Sequence, residues 1–417
     1  MANISRRTAL KAVGTGAAAV LASPAILRPA MGADSVRIGY VLPLSGGQAS
    51  VGAPIKIGAE IARDQINKAG GIEGRPVELV FRDDKGNPAE TVAGVRELVG
   101  DQVRFLSGLT VGPEALAIAG IMNTIDAIVL QTTPNLQISH ELYHPRQFSA
   151  FANSFMRLKA CAKLMVEKYP DVLTWGGSFP DLAQVTESWN QFSSELVAEY
   201  KSKLGKDVKI ISPERTKYGT PDFKPAIEAL MTSPVEGLFT DQYAADGITF
   251  FKQAKELGLF NRIRVFSDSG LEIDLPKALG RDMPPVDWAL GVWSPFAFKD
   301  SALSREVQEI YRARTGDPYP HGYVAYGHVP VYAFAAAIRS AKSIDLDKVV
   351  DALETVEFDT LKGRARFRKE DHQVIDDIVF TKYGPANVAP FWTVSDFARV
   401  PGASVANPAT PGQPFKM

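Results

Sequence analysis

The sequence predicts an α/β fold of two lobes, each built on a parallel sheet. Three observations lead there. Short strand-like runs alternate with helical runs along nearly the whole chain, and the alternation restarts after residue 150. Beyond a short N-terminal leader, roughly 380 residues remain, enough for two domains.

The first run begins at Val36 and reads as a strand to Leu42, ending in the turn Ser45-Gly46-Gly47. Ile57, Ile61 and Ile66 mark a helical stripe that Ala69-Gly70-Gly71 stops. Val77 to Phe81 is a second strand. Asn87-Pro88-Ala89-Glu90 starts a helix: Asn caps the first amides, Pro suits the first helical position, and Glu90 can return a bond to the cap amide. Val92, Val95, Leu98 and Val99 follow at core-facing spacing. Strands are expected at 103–107 and 125–130.

After residue 150 the pattern resumes with a strand at 171–175 and a long helix over 185–204, closed by Gly205. Val208 to Ile211 is a strand, Thr220-Pro221-Asp222-Phe223 opens the helix of Ile227 and Leu230, and Val235 to Thr240 is another strand. A helix around Phe250, Phe251, Ala254 and Leu257 comes next, then a strand over 263–266. Repeated strand–helix units specify parallel sheets covered on both faces. Their strand C-terminal ends are where ligands gather, so a cleft between two lobes lets both sets of loops reach one solute.

The N-terminus carries a basic head, Ser5-Arg6-Arg7-Thr8-Ala9-Leu10-Lys11, followed by small and apolar residues to Leu27. This segment is too short and too rich in Ala and Gly for a permanent anchor, and its paired arginines suit a twin-arginine export signal over residues 1–33. Cleavage is expected after Gly32 or Ala33, with Ala30-Met31-Gly32 fitting the small-x-small preference. Its removal takes away Arg6, Arg7, Lys11 and Arg28 and no acid, so the formal charge moves from −1 to −5. A net-acidic chain without a basic, aromatic-interleaved run argues against nucleic acid as a partner. Cys161 is the only cysteine, so no intrachain disulfide forms; a chain of this size buries an adequate core without one.

Among the loops, Ser107-Gly108-Leu109-Thr110-Val111-Gly112-Pro113-Glu114 is the most suggestive. Amides near Gly112 and Glu114, with the Thr110 hydroxyl, can bind a carboxylate at a helix N-terminus; an unoccupied strand-to-helix turn is the plain alternative. Gly108-x-Thr110-x-Gly112 only mimics a nucleophile elbow, with Thr for Ser and no assignable base. Thr132 and Thr133 close the next strand with two hydroxyls. In the second half, Trp175, Phe179 and Asp241-Gln242-Tyr243 stand at strand ends, where the aromatics either cover an apolar solute face or serve as core. Asp268, in Ser267-Asp268-Ser269-Gly270, either neutralises a ligand ammonium or organises a turn. Trp293-Ser294-Pro295-Phe296 offers a crossover and an aromatic wall.

His140 and His144 are four apart, but Pro145 follows and no HExxH or cysteine pair accompanies them, so a loop or helix-end role is expected over zinc. There is no phosphate loop, no dinucleotide fingerprint and no paired-acid arrangement. No cofactor, metal or catalytic residue is expected.

Several fragments, in order, resemble one family. They are Ile38-Gly39-Tyr40-Val41-Leu42-Pro43-Leu44-Ser45-Gly46, Ile66-Asn67-Lys68-Ala69-Gly70-Gly71-Ile72-Glu73-Gly74-Arg75, and Asp83-Asp84 before Asn87-Pro88. Gly219-Thr220-Pro221-Asp222-Phe223, Gln253-Ala254-Lys255-Glu256-Leu257-Gly258 and Gly363-Arg364-Ala365-Arg366-Phe367 continue the series. From about 36 to 382 the chain resembles the periplasmic solute-binding proteins of ABC transporters typified by the leucine/isoleucine/valine-binding proteins.

The resemblance implies two Rossmann-like lobes joined by three crossovers around a central ligand cleft. Lobe one would hold 34–150 and 292–355, lobe two 151–291 and 356–390, and 391–417 would extend past the usual end. It places carboxylate binding on Thr110, Val111 and Gly112, amino-group contact near Thr133 and Pro134, and aromatic contacts at Tyr243 and near Phe179. The family's ammonium-binding acid falls on Ser269, beside Asp268. Pro134 and Ser269 both depart from the pattern at the ligand's amino group, and a buried ammonium without an opposite charge costs several kcal/mol.

The resemblance therefore implies a periplasmic, monomeric binding protein that delivers a small organic solute to an ABC permease. The expected ligand is a carboxylate with an apolar or aromatic body, such as a benzoate-like or phenylpropanoid acid, seated against Phe179, Tyr243 and Trp293. A branched-chain or other amino acid is the alternative, with Asp268 replacing the missing acid. A ligand-sensing domain and a secreted hydrolase are rival classes.

Overall fold

The computed structural model describes residues 35–109, 111–242 and 244–415. The export signal expected over 1–33 lies outside the described residues, as do Thr110 and Tyr243.

The first half alternates as its apolar pattern dictates. β1 (Val36–Leu42) leads to α1 (Ala49–Lys68), β2 (Val77–Asp83) to α2 (Pro88–Gly100), and β3 (Phe105–Gly108) to α3 (Gly112–Ala119). β4 (Ile128–Gln131) and the short β5 (Gln147–Ser149) complete a parallel sheet in the order β2-β1-β3-β4-β5. At the start of α2 the Asn87 carboxamide accepts from the amides of Ala89 (2.8 Å) and Glu90 (3.3 Å), the expected cap. The cap amide itself donates to Asp84 O rather than to Glu90, because the β2–α2 turn already supplies an acceptor.

The chain then builds the second sheet. α4 (Ser154–Lys168), β6 (Thr174–Pro180), α5 (Ala183–Leu204), β7 (Lys209–Ile210), β8 (Glu214–Thr216) and α6 (Lys224–Thr232) come first. β9 (Gly237–Thr240), α7 (Ala244–Glu256), α8 (Leu259–Arg262), β10 (Val265–Asp268), α9 (Asp274–Leu279) and β11 (Val286–Gly291) follow. Gly205 closes α5 with a φ of 63°, a left-handed position that glycine takes without Cβ strain.

The chain returns to the first lobe with α10 (Ala302–Thr315), α11 (Val324–Ala341), α12 (Leu346–Leu353) and the hairpin β12 (Phe358–Thr360) and β13 (Gly363–Ala365). Finally β14 (Ile378–Pro385) and β15 (Trp392–Val400) add antiparallel strands to the second sheet, ordered β15-β14-β11-β10-β9-β6-β7 with β8 also on β6. Phe358, Leu361, Ala365 and Phe367 share the first lobe's core, so the return to the second lobe comes after residue 367 rather than near 356. Trp392–Val400, expected in an extension, is an edge strand of the second sheet.

These are two α/β lobes with parallel-sheet cores, linked by crossovers at 150–153, 292–301 and 366–377. The first and third run side by side: Ser149 N donates to His372 O (2.9 Å) and Val374 N to Ser149 O (3.0 Å). A buried ion pair, Lys362–Asp376, lies beside them. The C-terminal segment crosses the same region, where Asn407 joins Asn153 (2.9 Å) and the His140 ring (2.7 Å). No helix among the described residues is long and apolar enough to cross a membrane.

Candidate functional site

In both sheets the parallel strands point their C-terminal ends at the space between the lobes, so the loops after β3, β4, β6, β9 and β10 set its chemistry. The lobes meet there. A Cβ built on Gly112, in the first lobe, would stand 3.9 Å from the Gln184 side chain of the second.

On the first lobe, Val111 is the extended residue before α3, and Val111 and Gly112 are both half-buried. Pro113 contributes no amide. Glu114 is buried, with one carboxylate oxygen unpartnered among the described residues. Burial pushes its carboxyl above the usual range, opposed by a bond to its own amide. The anion cradle expected over 110–114 is thus reduced, among the described residues, to the amides of Val111 and Gly112, with an acid beside them. Thr132 is enclosed and its hydroxyl donates to Gly108 O (3.0 Å), which holds the β3 loop rather than facing a ligand. Thr133 is 5% exposed, and its hydroxyl has no bond to any described residue.

On the second lobe, Phe179 is fully buried and packs 6.0 Å from the Trp189 ring of α5. It is core, not a cleft lip, because β6 turns alternate side chains toward α5 and Phe179 shares that face with Gly177. Trp175 is core too, with its indole donating to Val172 O (2.9 Å). Trp293 also turns inward: 2% exposed, it donates to Ser304 Oγ (3.1 Å) at the start of α10, so its ring is not a cleft wall.

Asp268 is fully buried. One carboxylate oxygen accepts from Thr240 Oγ1 (3.1 Å) and the other from Leu271 N (3.0 Å), the turn role anticipated as its alternative. Burial pushes this carboxyl up to about 7, offset by those bonds and increased by the charge of Asp241. Ser269 is half-buried, and its amide donates to Thr240 O (2.9 Å).

Apart from Asp241, named above only as part of a strand end, the following residues of this region were not singled out from the sequence. Arg157 lies one turn into α4, half-buried, its guanidinium 3.4 Å from the Tyr326 hydroxyl. Asp241, half-buried at the end of β9, is pushed by burial up to about 6, with the Ser269 hydroxyl and the Arg157 charge pulling it back. Glu272 accepts from Val292 N (2.9 Å) at the second crossover; burial raises its carboxyl while His321 and Arg157 lower it. An aromatic row, Phe151–Tyr326 (4.5 Å), Tyr326–Tyr323 (5.1 Å) and Tyr323–His321 (4.2 Å), runs beside these groups. The sequence carried one usable sign: Arg157 interrupts an otherwise apolar helix start, Phe155-Met156-Arg157-Leu158.

His140 and His144 serve the loop as expected. His140 contacts Thr410 (2.6 Å) and Asn407 (2.7 Å), and His144 accepts from Arg146 N (3.1 Å).

A model of the periplasmic binding protein family matches residues 35–387. The leucine-, isoleucine-, valine-, threonine- and alanine-binding protein of Pseudomonas aeruginosa is 26% identical over 355 residues, 84% of this chain and 90% of the relative. Among solved structures, an ABC transporter substrate-binding protein from Sphaerobacter thermophilus superposes with a TM-score of 0.77 at 21% identity, covering 88% of this chain and 98% of the other. A solute-binding protein of an ABC transporter from Rhodopseudomonas palustris, in complex with 3,4-dihydroxybenzoic acid, gives 0.75 at 20% identity over 89% and 98%. This is a family of solute-binding transport proteins and not of catalysts. With the match spanning both lobes and all three crossovers, the chain belongs to the periplasmic binding protein family and is a solute-binding component of an ABC importer.

Proposed function

We propose that this protein, exported to the periplasm through the twin-arginine-like leader at 1–33, captures a small carboxylate with an apolar or aromatic body. It then presents that ligand, as a monomer, to an ABC permease. The carrying observation is the state of Asp268. Both of its oxygens are engaged inside the protein, and burial raises its carboxyl to about 7, so it offers no dependable charge to an ammonium. Ser269, beside it, has none at all. A ligand without an α-amino group suits this wall. The Val111 and Gly112 amides, the Thr133 hydroxyl and the Ser269 hydroxyl, which also serves Asp241, are the polar contacts proposed from the sequence, with Thr110 and Tyr243 as further members of the set.

Ligand bridging the two lobes favours the closed arrangement by the difference between its affinities for closed and open states. The closed face, assembled from both lobes, is what a permease would recognise.

One observation favours a second reading, an amino-acid ligand. Asp241 is a half-buried carboxyl beside Ser269, and it can meet an ammonium where Asp268 does not. The Pseudomonas relative named for five amino acids points the same way.

Calorimetry on the processed protein separates the two. 3-Phenylpropanoate and benzoate are expected to bind one-to-one and more tightly than phenylalanine or leucine, and Asp268→Asn is expected to leave that order unchanged. Tighter binding of an amino acid than of either carboxylate would overturn the proposal, and its selective loss in Asp241→Asn would establish the second reading.

A further inference from the structure

Arg157 is a charged group at the cleft end of the second sheet with no charge partner within ion-pair distance among the described residues, and its surroundings identify what it takes. Its helix, α4, runs back along the second sheet into β6, so the first turn of α4 lies at the cleft end of the strands. Arg157 stands in that turn as a half-buried residue between buried Met156 and Leu158. Among the described residues no carboxylate lies within ion-pair distance of it, and its one hydrogen bond is the 3.4 Å contact to the Tyr326 hydroxyl. That bond uses a single nitrogen of a five-donor fork.

Two acids stand near enough to feel its charge, Asp241 at the end of β9 and Glu272 after β10. Neither engages it. Glu272 is turned to the Val292 amide (2.9 Å) and lies 3.9 Å from the His321 ring, while Asp241 is served by the Ser269 hydroxyl. Burial also raises both acids, which weakens their ability to neutralise a guanidinium. A partly desolvated guanidinium whose other four donors meet no described residue is matched by a planar carboxylate, bonded through two parallel N–H···O contacts.

The apolar side of the same place is present. Half-buried Tyr323 stacks on the buried Tyr326 ring (5.1 Å), which meets Phe151 edge-on (4.5 Å), so the aromatic surface offered beside the charge is that of Tyr323. The first-lobe amides provide a poorer anion site, because Pro113 donates nothing and buried Glu114 stands beside them.

We propose that Arg157 is the specificity-determining residue for the ligand's carboxylate, which it holds from the second lobe with the ligand's body laid along Tyr323. This rests on the carboxylate reading above and narrows it. The charge partner is a side chain of α4 rather than a helix N-terminus, and the ligand class is an acid discriminated from its own neutral amide.

The test pairs each acid with its amide, benzoate against benzamide and 3-phenylpropanoate against 3-phenylpropanamide, by calorimetry on the processed wild-type protein. The acids are expected to bind at least about tenfold tighter than their amides, as charge-assisted hydrogen bonds require. Arg157→Gln is expected to lose about 10- to 100-fold for the acids and little for the amides, which erases the preference. Arg157→Lys keeps the charge but not the fork, and is expected to retain part of the preference. Should Arg157→Gln not fold, phenylglyoxal labelling of Arg157 in the wild type, read by mass spectrometry, gives the same answer: protection by the acid and none by the amide. Acid binding that survives Arg157→Gln unchanged, or leaves Arg157 labelling unchanged, overturns the assignment while preserving the carboxylate reading. A wild-type protein that binds neither acid overturns both.

Discussion

At the scale of single residues, burial decides more than residue type. Asp268 looked like a ligand partner because an acid follows a strand, yet its carboxyl is enclosed and linked to Thr240 and Leu271. Its folded value of about 7 lies above the ordinary 3.8. The folded protein therefore holds this proton where the unfolded chain has released it. Stability from this group is greatest below about pH 4 and declines as pH rises toward 7, beyond which the loss is constant. Asn fits the same bonds, with its oxygen on the Leu271 amide and its nitrogen toward Thr240 Oγ1. Asp268→Asn is expected to raise the melting temperature relative to wild type at pH 7–8 and to lose that advantage near pH 4. A wild-type advantage at pH 8 would show that the fold favours the Asp268 carboxylate instead of penalising it. Phe179, Trp175 and Trp293 teach the same lesson: from sequence an aromatic at a strand end has two destinations, and only the pleat and the facing helix assign one. Arg157 is barely legible in the sequence for the opposite reason, since a single charge in an apolar helix start has no motif.

At the scale of elements, the alternating pattern was legible wherever one face of an element is buried. β1 begins and ends where its apolar run does, and the Asn87-Pro88 start of α2 was readable because a cap is a local event. β5, β11, β14 and β15 escaped notice, being short or dependent on partners remote in sequence. The packing of α1 on α11 was equally hidden. A Cβ on Gly327 would stand 1.8 Å from Ile55 O, and one on Gly58 would stand 2.0 Å from Val324 O, so these helices touch backbone to backbone. The Tyr40 hydroxyl donates to Gly327 O (2.6 Å) at the same crossing. Gly327→Ala is expected to force the helices apart and to cost about 3 kcal/mol or more, at the upper end of overpacking, by denaturant unfolding. A loss under about 0.5 kcal/mol would mean that the crossing has slack.

At the scale of the whole molecule, the chain passes between lobes three times, and the crossovers lie together with the C-terminal segment against them. That arrangement allows the lobes to rotate about one region while each core stays intact, because the sheets themselves share no strand. The crossovers follow from no local pattern in the sequence. They entered only through the resemblance, and the loops they bring together are the reason that strand ends far apart in the chain share one space. The central claim is that a small carboxylate bridges those loops and shifts the protein to a closed state. Small-angle scattering on the processed protein, with and without saturating 3-phenylpropanoate and with leucine as comparison, tests this most directly. The account expects a smaller radius of gyration with the carboxylate and no change with leucine; compaction by leucine alone would contradict it.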